Sequence, residues 1–172
     1  MKKIFIILLS LLFAVIMFNC GDTTEPKDDD NQTDGGEPFE CKVDGEKWVP
    51  NVSENGVTAS MAYGWLSITA TVIDGTTSEQ IIFSLGAVTE PCTINLGSAF
   101  SGKYANFLRT VGATSPVSFF TDDSHTGTVE ITKFDADKKK VEGTFSFTAK
   151  NLTGENTVTV TNGSFSLTYT TN

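Results

Sequence analysis

From Phe39 onward the chain alternates apolar and polar residues with a period of two, and this restricts most of it to β-strands. Phe39, Cys41 and Val43 alternate with Glu40 and Lys42. Asp44-Gly45 then turns the chain and Trp48 and Val49 follow, which predicts a hairpin. Further strands are expected at Val57 to Tyr63, Trp65 to Ile73, from the Gln80 region to Ala87, and Cys92 to Leu96. The second half adds Val117 to Phe120, Thr128 to Phe134, Val141 to Ala149, Thr157 to Thr161 and Ser164 to Tyr169. Turn signals fall between them at Asp74-Gly75, Asp135 to Asp137, Gly154 and Asn162-Gly163. Against this pattern, only Tyr104, Phe107 and Leu108 fit a single helical turn.

About nine or ten short antiparallel strands imply an all-β domain over residues 39–172, an antiparallel β-sandwich or, as the alternative, a partly closed β-barrel. Adjacent residues of a strand face opposite sides. The apolar pairs Val72-Ile73, Ile81-Ile82 and Phe119-Phe120 therefore each require a second apolar layer, a partner or a ligand for one member.

The other end of the chain reads differently. Met1, Lys2 and Lys3 are followed by an apolar run from Ile4 to Phe18 broken only by Ser10, the layout of an export signal. As a helix this run reaches roughly 22 Å, short of a hydrocarbon core of about 30 Å. Residues 1–19 are expected to be a signal peptide of the lipoprotein type, with Cys20 as the lipid-modified residue and the means of membrane attachment. Met17, Phe18 and Asn19 depart from the leucine and small residues usual before such a cysteine. Residues 20–38 are expected to be a flexible tether: after Cys20 come seven acids, one lysine, two prolines, three glycines and no large apolar side chain. Within it, Lys27-Asp28-Asp29-Asp30 is similar to acidic export signals of some Bacteroidota lipoproteins, and Asp22-Thr23-Thr24 to their O-glycosylation acceptor.

Residues 39–172 carry fourteen acids and nine bases, an ordinary soluble surface. Nucleic acid is a poor partner for it, because binding requires a basic footprint that displaces counterions. With Cys20 assigned to lipid, Cys41 and Cys92 are a pairable set in an oxidising compartment. A disulfide between them, closing about fifty residues and contributing about 4 kcal/mol, is expected over two buried thiols.

Reactive constellations are sparse. His125 is the single histidine, and Ser124 beside it diverges from it, so Thr121 to His125 reads as a polar loop and no catalytic residue is assigned. Glu40, Glu130 and Glu142 each alternate with apolar neighbours and should be solvated, which leaves no acid placed for a raised pKa. Asp135 and Asp137 precede Lys138, Lys139 and Lys140 and read as a turn, so neither a metal site nor a cofactor is implied. What remains is binding: Trp48, Trp65, Tyr63 or Tyr104, if exposed, offers a face on which a sugar ring stacks, with burial in the core as the competing reading.

Four segments carry a resemblance. Phe39 to Pro50 (FECKVDGEKWVP), Gly127 to Thr132 (GTVEIT) with Phe134-Asp135, Val141 to Phe147 (VEGTFSF) and Val160 to Phe165 (VTNGSF) together resemble a family of Bacteroidota envelope lipoproteins of unknown function. The resemblance implies an envelope lipoprotein with a small β domain and offers no catalytic residue. The expected function is a lipid-anchored, non-enzymatic module at the outer membrane, with a glycan, a peptide or an envelope protein as its partner. A scaffold docking on another envelope protein is the alternative, and a hydrolase follows third.

Overall fold

The computed structural model describes residues 38–52 and 56–171. The expected signal peptide, Cys20 and residues 20–37 of the expected tether lie outside the described residues.

Twelve strands and one 3₁₀ turn follow one another. They are β1 (Phe39–Val43), β2 (Glu46–Trp48), β3 (Val57–Ala62), β4 (Trp65–Asp74), β5 (Thr77–Ala87) and β6 (Cys92–Leu96). After the 3₁₀ turn Ala99–Ser101 come β7 (Tyr104–Val111), β8 (Val117–Phe120), β9 (Gly127–Asp135), β10 (Lys140–Asn151), β11 (Thr157–Thr168) and β12 (Thr170–Thr171). The all-β expectation holds. The strands belong to one curled sheet in the order β12-β3-β4-β5-β7-β8-β10-β11-β1-β2, with β9 on β10 and β6 on β9. Because β12 begins two residues after β11 ends and pairs with β3, the arc returns on itself. Its opposite corner is a short β8–β10 pairing, Lys150 with Phe120 and Asn151 with Phe119. Sandwich and partly closed barrel are thus two descriptions of one arrangement: two facing layers that share hydrogen bonds at their corners. The β12–β3 pairing is parallel, so the sheet is mixed where an antiparallel one was expected.

Alternation determines which side chains meet inside. On β10, Val141, Gly143, Phe145, Phe147 and Ala149 are buried while Thr144 and Ser146 face out. Phe83 on β5 packs against Phe145 and Phe147 with ring centroids 5.0 and 5.7 Å apart, although β7 and β8 separate their strands in the sheet. Phe145 also meets Phe39 at 5.0 Å and Phe165 at 6.3 Å. Aromatic pairs at such distances add roughly 0.5–1.5 kcal/mol each beyond area burial. Phe145 is therefore the residue on which the two layers converge.

Three local expectations are corrected. Tyr104, Phe107 and Leu108 lie on the strand β7, not on a helical turn, because β7 pairs with β5 along its length and with β8 from Asn106 to Arg109. Asn162-Gly163 does not turn the chain: β11 runs through it as a bulge, with Phe145 opposite Gly163 and Phe147 opposite Val160. Asn162 takes the left-handed conformation (φ 52°) that an Asn-Gly pair permits in a bulge as readily as in a turn. Tyr63, expected in a strand, instead forms with Gly64 the two-residue tip between β3 and β4 (φ 53° and 81°). The Asp44-Gly45 tip is as expected (φ 51° and 92°).

The expected disulfide is also corrected: Cys41 and Cys92 are free thiols. Cys41 lies on β1 and Cys92 on β6, four strand steps apart through β11, β10 and β9. That is about 19 Å along the sheet, against the roughly 7 Å between Cα atoms that a disulfide tolerates. Burial, reinforced by the nearby Glu40 carboxylate, pushes the Cys41 thiol up to about 12.

Candidate functional site

The apolar pair at the end of β8 builds the site. Phe119 turns inward against Phe107, with centroids 6.0 Å apart, and Phe120 consequently faces out. The Phe120 ring lies 6.2 Å from that of Tyr104, tilted by 44°, and shares its sheet face with Lys150. The next residue, Thr121, is buried and serves as a pin. Its hydroxyl donates to Gly97 O at 2.7 Å and accepts from Ala105 N at 3.0 Å, which fastens the segment after β6 to β7.

That segment holds the 3₁₀ turn. Ser101 Oγ donates to Ser98 O at 2.7 Å, and Gly102 closes the turn in the left-handed region (φ 75°). With both ends fixed, Phe100 points fully into solvent. On the facing side, the loop from β10 to β11 is folded by Asn151, whose side-chain oxygen accepts from Thr153 N at 2.8 Å and Thr153 Oγ1 at 3.0 Å. It presents Leu152, 75% exposed. Phe100, Phe120 and Leu152, with Ala99, line a cleft of about 640 Å³. Asp122, Glu155 and Lys150, whose Nζ lies 3.6 Å from Glu155, also line it.

Asp122 is engaged locally. It accepts from His125 N at 2.6 Å and Ser124 N at 2.7 Å, and lies 2.9 Å from His125 Nδ1. Those interactions, the backbone bond from His125 foremost, hold its carboxyl below the usual carboxylate range. Asp135 likewise closes a turn, accepting from Lys138 N at 2.8 Å. Lys133 pairs with Glu142 at 3.3 Å on the outer face of the sheet, where alternation places both.

The four aromatic residues expected to stack on a ligand are separated by the fold. Trp48 is buried, and its Nε1 donates to Glu79 Oε2 at 2.9 Å, which removes it as a platform. Glu79 Oε1 simultaneously accepts from Arg109 Nε at 2.6 Å, so Trp48, Glu79 and Arg109, which line the 430 Å³ hollow beside Trp48, are engaged with one another. Tyr63 stands fully exposed at its hairpin tip. Trp65, 48% exposed, packs its ring over Gly102, where a Cβ would come within 2.8 Å. It thereby borders the turn that carries Phe100. Tyr104 supports Phe120 from behind and is half-buried.

Phe100, Phe120 and Leu152 were not among the expected site residues. Phe120 had a signal, as the outward half of an apolar pair. Phe100 also had one: it sits in Gly97-Ser-Ala-Phe-Ser-Gly102, where no strand can bury it.

Neither the curated proteins nor the solved structures include a match to this chain. A family profile does match, over residues 38–167, nearly the whole of the β domain. The chain belongs to the family described as a domain of unknown function, DUF6252.

Proposed function

We propose that this protein is a lipid-anchored component of the cell envelope, of the Bacteroidota lipoprotein type, whose β domain is a non-enzymatic binding module. Its ligand site is the cleft between Phe100, Phe120 and Leu152. The observation that carries this reading is the exposure of Phe100 and Leu152 on facing loops, each held out by its own hydrogen bonds. Leaving a phenylalanine or leucine in water forgoes roughly 1.5–3 kcal/mol, and a ligand seated between them recovers part of it. The short apolar leader ending at Cys20, with polar sequence after it, supports the anchor and the envelope location.

A scaffold role has a separate basis. Val111 and Val117 are exposed at the far ends of β7 and β8 from the cleft and lie on the same side of the sheet, and together they offer a second apolar patch to an envelope protein.

Co-purification of the full chain from native envelopes separates these readings. Phe100→Ser with Leu152→Ser should abolish recovery of the ligand while Val111→Ser with Val117→Ser preserves it. The reverse pattern favours the scaffold, and a ligand retained by both variants rejects the cleft. For the anchor, Cys20→Ala should move the protein out of the membrane fraction, and retention at the wild-type level counts against lipidation.

A further inference from the structure

A second hollow, of about 530 Å³, lies on the outer face of the sheet and differs in chemistry from the cleft. Its side chains come from four neighbouring strands: Asn95 on β6, Thr128 on β9, Ser146 and Thr148 on β10, Thr159 and Thr161 on β11. Asn95, Thr128 and Ser146 stand directly opposite one another across three strands, and Thr148 stands opposite Thr159. Sheet geometry spaces such groups about 4.8 Å across strands and about 6.8 Å along them.

Two features bear on what this surface can bind. No ionisable side chain lines it, although the described domain is acidic overall. Among the described residues, none of these six side chains makes an internal hydrogen bond, as also holds for outward strand hydroxyls such as Ser67 and Thr144, so all six are open to a ligand. Each free hydroxyl both donates and accepts. A regular field of neutral groups of this kind matches a ligand that also carries neutral donors and acceptors at short intervals. It offers no counter-charge to a phosphate, a carboxylate or an ammonium group.

The hollow and the cleft lie along the same outward row of β10. Ser146, Thr148 and Lys150 are successive outward residues of β10; the first two line the polar hollow, the third lines the cleft beside Phe120. We infer that the two form one elongated site for a neutral polysaccharide, its hydroxyls bonded along β10 and one sugar ring placed against Phe100. This rests on the cleft being a ligand site and adds the ligand's class. Polar contacts with exposed aromatic stacking are the combination a pyranose ring requires, since its edge is polar and its face apolar.

Native affinity electrophoresis of the purified full chain tests it, with dextran, amylopectin, mannan or xylan in the gel, and alginate and heparin as charged controls. At least one neutral polymer should retard the protein, and the retardation should persist at high salt because no ion pair contributes. Thr128→Val with Thr148→Val keeps side-chain shape and removes two hydroxyls; it should weaken binding about tenfold. Phe100→Ala should weaken it by a similar factor. Failure of all four neutral polymers to bind overturns the inference, as does retardation by the charged controls alone. Loss of binding in Phe100→Ala with full binding in the double valine variant also overturns it while leaving the cleft as a ligand site. A ligand from native envelopes whose capture is indifferent to Phe100 overturns the cleft itself.

Discussion

Trp48 Nε1 and Glu79 Oε2, thirty-one residues apart in sequence, share a 2.9 Å hydrogen bond that joins the N-terminal hairpin to β5. The same carboxylate takes Arg109 Nε at 2.6 Å, so one acid ties β2, β5 and β7 together. Its side chain is only 16% exposed, so the attachment is sheltered from water.

Removing that acid should be costly. Glu79→Ala leaves the buried indole N–H of Trp48 and the Arg109 guanidinium without their acceptor, and we expect a loss of about 1–3 kcal/mol. Glu79→Gln keeps an acceptor for Trp48 while losing the charge toward Arg109, and should lose less. Urea denaturation of the three proteins, compared at equal slope, measures the difference.

Gly163 is fixed by packing. A Cβ there would overlap the Phe145 ring, the residue on which the two layers meet. Gly163→Ala should cost about 1–3 kcal/mol through overpacking. Gly154→Ala, in the exposed loop between β10 and β11, should change the unfolding midpoint little. Thermal unfolding of both variants checks the contrast.

The two thiols should behave differently. Cys41 is buried and its thiol is pushed up to about 12, so it should resist alkylation until the protein unfolds; the partly exposed Cys92 should react first. The folded state holds its Cys41 proton above the ordinary value of 9.0, where the unfolded chain has released it. Stability from this group is thus complete below pH 9 and declines as pH rises toward 12. Cys41→Ala should flatten the alkaline limb of the stability curve, and timed alkylation with intact-mass readout gives the order of reaction.

How much of this was legible in the sequence depended on whether the signal was local. Cys92–Leu96 and Val117–Phe120 appear as strands with the bounds that alternation and turn residues gave them, because each burial pattern is decided within the strand. Asn162-Gly163 misled because the same left-handed backbone serves a hairpin tip and a bulge; the choice lies with Phe145 on another strand. On β7, Ala105, Asn106 and Phe107 are buried in succession, and no period of two survives. Asn106, on the outer side, donates to Phe119 O at 3.0 Å and stands opposite Phe120. The site was half visible: the Phe119-Phe120 pair required an outward partner, but the meeting of Phe100 and Leu152 depends on loops forty residues and more apart. Cys41 and Cys92 failed as a pair for a related reason, since their separation is a property of strand order and not of either strand.

The claim that the cleft is occupied in its native setting is most directly tested by hydroxyl-radical footprinting of the full chain in intact envelopes, compared with the purified protein. Phe100 and Leu152 should be oxidised several-fold more slowly in the envelope while Tyr63, at its separate hairpin tip, is unchanged. Equal oxidation of Phe100 and Leu152 in the two preparations would contradict a ligand between them.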